Sequence, residues 1–141
     1  MIFDMGNPGG STANDFFDIV SDVVIADGRC HHIAYVKSGS TGEAFVDGVS
    51  VDTHTAHFTL RDFQRYSFGQ EWDGDTDSDH YEGIMDEIRV WSISRTKAEI
   101  QADMNGEVAF DSPGLTAYYR LNDGVALADN GGLVTINDDR L

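Results

Sequence analysis

The sequence predicts an all-β protein, an antiparallel β-sandwich carrying one short helix near 96–104. Three observations predict it. Short runs rich in β-branched and aromatic residues are separated by turn residues; an Asp47-Gly48 pair joins two such runs; and a single stretch has helix signals. The composition agrees, with 15 glycines against 2 prolines suiting many tight turns.

Taken in order, "HHIAYVKS" (31–38) is the first strand and "GSTG" (39–42) a loop. "EAFV" (43–46) and "VSVDT" (49–53) flank Asp47-Gly48 as a hairpin, because Asp-Gly supplies the positive φ angles of a two-residue turn. "RYSFG" (65–69) reads as a short strand, and "YEGIMDEIRVW" (81–91) as the longest. Ile84, Ile88 and Val90 alternate along one buried face of it, while Met85 and Trp91 make the other face partly apolar. Thr96 and Glu99 form a capping box for "TKAEIQADM", whose Ile100 and Met104 share one side. Pro113-Gly114 breaks the linker 105–114, and "LTAYYRL" (115–121) is a further strand, with Leu115, Ala117 and Tyr119 on its apolar side and Tyr118 opposite. A domain of 1–110 is expected, with 111–141 either completing the sandwich or opening a further unit.

At 141 residues and 40% hydrophobic, the chain is long enough for one ordinary core. Its 25 acidic and 9 basic residues give a net charge of −16 and a sequence pI near 4.3. Such a surface repels nucleic acid and anionic lipid and favours cations, calcium above all, since carboxylates are hard oxygen ligands. Cys30 is the single cysteine, so it forms no internal disulfide and no zinc cluster alone. No apolar run reaches membrane-spanning length, and the opening "MIFDMGNPGG" lacks the basic and apolar regions of a signal peptide.

Four segments stand out, "DGRCHHIAYV" (27–36), "EAFVDGVSV" (43–51), "FGQEWDGD" (68–75) and "GIMDEIRVWSISRTKAEIQ" (83–101), spread over about 27–104. In this order and spacing they resemble the laminin G-like and pentraxin-like branch of the concanavalin A-like lectin/glucanase superfamily. The resemblance implies a jelly roll of two antiparallel sheets and an extracellular or cell-surface recognition module, often one unit of a multidomain protein, whose partner is a glycan or an extracellular protein. Three departures stand out. Cys30 occupies the place of the family's usual tryptophan, which implies a buried thiol beside a gap. Only 30 residues precede His31, so the strands that normally lead the fold are shortened. "GLTAYYRLNDG" (114–124) is similar to an opening strand yet stands late in the chain.

The acidic stretch "EWDGDTDSD" (71–79) is the main candidate site. It is not an EF-hand, because counting from Asp73 puts Ser78 at position 6 and Ile84 at position 12. The resemblance implies calcium held by Glu71 and Asp73, with the Trp72 carbonyl available and Asp75, Asp77 and Asp79 as spare ligands. A calcium loop and a ligand-free acidic turn stand as equal readings. Trp72 is also a candidate for stacking on a sugar face, with packing the stronger reading. A glycoside hydrolase is a distant third function, after recognition module and structural spacer: "EWDGD" alternates acids but interposes Gly74, and an exposed cluster does not raise one carboxyl selectively. Adjacent strand residues face opposite ways, so His31 and His32 cannot share an ion; one ring is expected to be buried and hydrogen-bonded. His54 and His57 are expected to be solvated, Trp91 to lie in the core, and Asp86 and Glu87 to pair with Arg89, Arg95 or backbone amides.

Overall fold

The computed structural model describes residues 22–56, 68–73, 76–78, 80–122 and 138, with 71–73, 77 and 78 described through their backbone. Within them, seven strands and one helix follow the order β1 (Ile33–Ser38), β2 (Thr41–Val46), β3 (Val49–Thr55), β4 (Glu71–Asp73), β5 (Thr76–Ser78), β6 (Ile88–Trp91), α1 (Lys97–Asp103) and β7 (Leu115–Tyr119). All pairings are antiparallel: β1-β2-β3 form one sheet, β4-β5 a second and β6-β7 a third. None of the described helices is long and apolar enough to cross a membrane.

The first sheet is organised by its turns. Val46 pairs with Val49 across Asp47 and Gly48, whose φ angles are +50° and +72°. Two positive φ angles in a two-residue loop match the right-handed twist of the flanking strands, and Gly48 adopts its angle without a Cβ penalty. The expected loop 39–42 is shorter than that: Gly39, at φ +58°, and Ser40 suffice to turn the chain, and β2 already begins at Thr41. As the central strand, β2 buries Ala44, Phe45 and Val46.

The third sheet corrects the longest expected strand. Residues 81–87 are not extended into the sheet, and β6 starts only at Ile88. Glu87 stands at φ +55°, an angle that ends strand geometry, and its N–H donates to the Asp86 carboxylate at 3.0 Å. Ile84, expected on the buried face, is consequently 76% exposed. From Ile88 onward the pairing with β7 holds, from Ile88–Tyr119 to Trp91–Leu115, with a register shift after Val90. Leu115 and Ala117 are buried as expected, yet Tyr118 on the opposite face is the most buried residue, so β7 is covered on both sides. Trp91 is half-buried, and the Arg95 guanidinium lies over its ring at 4.1 Å. "RYSFG" gives no strand at Phe68-Gly69, which form a bend; residues 65–67 lie outside the described residues.

The helix begins as its capping box requires. Thr96 accepts from the Glu99 N–H, and the Thr96 N–H donates to the Glu99 carboxylate at 2.7 Å. Ile100 is its buried residue. It docks on the β2–β3 turn, where the Gln101 amide donates to the Gly48 carbonyl at 2.9 Å. Ser94 donates to the Lys37 carbonyl at 2.7 Å and so ties the segment after β6 to β1.

Cys30 is exposed, against the expected buried thiol. Residues 26–30 run outside the sheet before β1 forms, so no core gap has to be filled there.

A Cβ on Gly48 would lie 2.6 Å from Gln101 Cγ and 3.2 Å from Met104 Sδ, whereas one on Gly39 meets nothing within 4 Å. Gly48→Ala therefore combines a left-handed backbone with overpacking and should destabilise by roughly 2–4 kcal/mol, against about 1 kcal/mol for Gly39→Ala. Urea denaturation of the two variants side by side checks the difference.

Candidate functional site

The acidic stretch is a hairpin rather than a loop. Glu71 pairs with Ser78, Trp72 with Asp77 and Asp73 with Thr76. Strand alternation places Glu71 and Asp73 on one face of β4, and the register sets Asp77 against Trp72 rather than against either of them. Asp75 and Asp79 lie outside the described residues. The neck of the hairpin is closed by the Tyr81 N–H, which donates to the Gly69 carbonyl at 2.6 Å. Gly69 is at φ +78°, and a Cβ there would meet the Met85 methyl at 2.3 Å, so the neck is tight. Around it Phe68, Tyr81 and Ile84 are exposed, which gives the neck an apolar and aromatic surface. The Phe68 ring packs against Tyr119 at 6.2 Å, tilted by 59°, so this rim is anchored on β7.

Among the described residues, no group of three His, Cys, Asp or Glu is arranged to hold a metal ion.

Three polar clusters hold the framework; sequence reasoning paired Glu87 with Arg89 but did not join the histidines to their partners. His31 hydrogen-bonds to two carboxylates, through Nδ1 to Asp47 at 2.8 Å and through Nε2 to Asp27 at 3.0 Å. Its neighbour His32 faces the other way, and burial pushes its imidazole pKa down, with the Arg89 charge adding to the effect. The two rings do lie apart, but the hydrogen-bonded ring is His31; buried His32 Nδ1 has no hydrogen-bond partner among the described residues.

His54 is not solvated as expected. Its Nδ1 is 3.0 Å from Asp52, its Nε2 is 3.2 Å from the Tyr35 hydroxyl, and its ring stacks on Tyr35 at 5.7 Å. The two side chains meet above Gly42 of the central strand, where a Cβ would fall 2.1 Å from the Tyr35 oxygen. Burial, with Asp52 nearby, pushes the Tyr35 hydroxyl up to about 12. It stays protonated and donates to His54 rather than acting as a nucleophile. Asp52 and His54, two apart on a strand beside a glycine, were the signal for this cluster. His57 lies outside the described residues.

The third cluster centres on Arg89, whose side chain is only 9% exposed. It donates to Glu87 at 2.6 Å, to the Asp103 carbonyl at 2.8 Å and to the Gly106 carbonyl, and lies 5.2 Å from the Tyr118 ring centre. Glu87 also accepts from the Tyr118 hydroxyl and faces Arg120 at 3.9 Å. Asp86 serves the backbone of Glu87. Partly buried carboxylates inside such a network fix structure; they are not poised for proton transfer.

An antiparallel β framework with a polar interior lattice and an acidic, aromatic rim defines a binding or structural module. The chain belongs to a laminin G-type family of the concanavalin A-like lectin/glucanases superfamily, whose family model matches residues 3–101. Domains of this family are typically non-enzymatic. Among solved structures, the chain is similar to an S-layer domain-containing protein (residues 221–444) from Clostridium thermocellum, with a TM-score of 0.51 and 20% identity. That match covers 58% of this chain and 42% of the other, and shows the fold alone. No curated protein matches the chain.

Burial pushes the Glu87 carboxyl up, but hydrogen bonds from Tyr118 and Arg89 and the charges of Arg89 and Arg120 outweigh it and hold its pKa below the ordinary 4.5. A lowered carboxyl stabilises the fold above its unfolded value, and that contribution is lost as pH falls through the folded value. Glu87→Gln should therefore cost about 1–3 kcal/mol at pH 7 by leaving Arg89 short of a charged partner. The gap to the parent should narrow as pH drops below about 4.5. Urea denaturation at pH 7 and at pH 3 measures both.

Proposed function

We propose that this protein is a non-enzymatic recognition module of an extracellular or cell-surface multidomain protein, binding a glycan or protein through the rim around β4–β5 with calcium as part of the site. One observation carries the reading: Glu71 and Asp73 share a face of a hairpin whose neck is bordered by exposed Phe68, Tyr81 and Ile84. Carboxylates that hold a cation beside aromatic surface can orient hydroxyls of a sugar while the rings cover its apolar face. Trp72, on the other face of β4, lies away from that cation and is left to packing or to a separate sugar contact. Asp75, Asp77 and Asp79 complete the negative field that draws the ion in. The net charge of −16 repels nucleic acid and anionic membrane and favours neutral or cationic partners. The S-layer connection of a structural neighbour supports a cell-surface setting. A structural spacer is the second reading, favoured by the dense ionic lattice around Arg89, which invests in rigidity without needing a ligand.

Calcium that binds the folded chain alone raises its stability by about 2.7 kcal/mol at a hundredfold excess over Kd. A melting curve in millimolar calcium should thus shift upward relative to sodium at matched ionic strength, and Asp73→Asn should abolish the difference. Equal shifts in both salts would leave a solvated acidic hairpin and favour the spacer. A glycan array probed in calcium and in chelator then tests recognition, with retention expected only in calcium. Release of reducing sugar from β-glucans, abolished by Glu71→Gln, would instead establish a hydrolase.

A further inference from the structure

The segment leading into β1 is attached to the sheet in an unusual way. From Asp22 to Cys30 every residue except Ile25 is exposed, so little apolar burial holds it. His31 fastens it through contacts with carboxylates from two places, Asp27 within the segment and Asp47 in the β2–β3 turn. The His31 side chain is 15% exposed, which shields the bridge partly from water. Around it the same turn is sewn to the start of β1 by two backbone bonds. The His32 N–H donates to Asp47 Oδ1 at 2.9 Å, and the Asp47 N–H donates to the His32 carbonyl at 2.8 Å.

A neutral imidazole has one N–H and one lone pair. Flanked by two ionised carboxylates, it can satisfy one and must turn its lone pair on the other. Only the imidazolium, with two N–H donors, satisfies both. We propose that the Asp27–His31–Asp47 bridge is a pH-sensitive latch: the imidazolium fastens the segment before β1 to the β2–β3 turn, and loss of its proton releases that segment.

The surrounding charges agree with this assignment. Hydrogen bonds to Asp47 and then Asp27 outweigh desolvation and raise the His31 pKa above 6.5. Asp27 is held low by its bonds to His31 and to the Arg29 N–H, and Asp47 by its bonds to His31 and the His32 N–H. From the segment itself, Arg29 adds a positive charge 3.9 Å from Asp27. From the start of β1, His32 is kept neutral by burial and by Arg89. Helix α1 reaches this turn through Gln101, which is uncharged. A histidine raised on folding contributes stability that is whole below 6.5 and lost as pH climbs through its folded value. The latch is shut below the folded His31 value and opens as pH rises through it; acid strong enough to protonate Asp27 and Asp47 opens it again.

Amide hydrogen exchange of the intact chain at pH 6 and pH 9, corrected for intrinsic rates, reads the latch at the His32 and Asp47 N–H groups. Their protection should fall by about tenfold or more at pH 9. In His31→Gln, which donates but does not titrate, the two protections should be equal. Asp27→Asn leaves one carboxylate only and should move the midpoint of the fall to lower pH. Equal protection in the parent at both pH values overturns the proposal, as does a fall that survives in His31→Gln. Should His31→Gln not fold, an unmoved midpoint in Asp27→Asn overturns it, and a nuclear magnetic resonance titration of the parent showing His31 at or below 6.5 does so independently.

Discussion

A nearly buried guanidinium governs this structure. Arg89 projects from β6 into surroundings that exclude most water, where an unpaired charge is costly. Each neighbour answers that cost. Glu87 supplies the counter-charge, the Asp103 and Gly106 carbonyls at and beyond the end of α1 accept N–H donors, and the Tyr118 ring offers its face. One side chain thereby sets where β6 begins, where the helix ends and how β7 lies. Even the positive φ of Glu87 becomes intelligible. The left-handed backbone costs on the order of 1 kcal/mol, and the ionic contacts of that residue offset it. Burial lowers the His32 pKa, and the same guanidinium charge adds to that effect.

The β2–β3 turn is the second fixed point. Its two positive φ angles follow from Asp47-Gly48, but the structure uses each residue a second time. Gly48 leaves room for Gln101 and Met104 of α1, and the Asp47 carboxylate reaches His31 and the His32 amide. A turn chosen for hairpin geometry therefore also docks the helix and ties down the segment before β1. The helix lacks a basic residue in its last turn, and its C-terminal carbonyls are met instead by Arg89 from another element.

The rim and the framework divide the polar residues between them. In the framework, carboxylates are matched by cations or histidines: Glu87 with Arg89 and Arg120, Asp103 with Arg95, Asp52 with His54. The β4–β5 hairpin concentrates acids in a stretch of sequence without a single Lys or Arg between residues 66 and 88. Acids crowded this closely in the sequence repel one another, whereas the framework carboxylates each have a partner of opposite charge or a histidine.

Much of the fold was legible in the chain. Asp47-Gly48, the Thr96 capping box, and the apolar content of "IRVW" and "LTAYY" are local signals, and local sterics and hydrogen bonding decide what they specify. The candidate carboxylates were legible for the same reason, as a dense local pattern. What failed were readings of single side chains whose neighbours come from elsewhere in the chain. Ile84 matched a strand period, but the left-handed angle at Glu87 takes it out to solvent. His54 looked solvated because its partner Tyr35 lies 19 residues away across a central strand and meets it only above Gly42. Cys30 inherited a core position from its motif, yet the chain around it stays outside the sheet. The hydrogen-bonded histidine proved to be His31, because Asp47 reaches it only once the hairpin has folded back. Periodicity and turn chemistry act within a few residues, so the sequence alone determined the β1–β3 strands, the start of the helix and β7, but not the β4–β5 hairpin or where β6 begins. Register and burial bring together side chains far apart in the chain, so tertiary structure alone decided which charges meet and which stay wet.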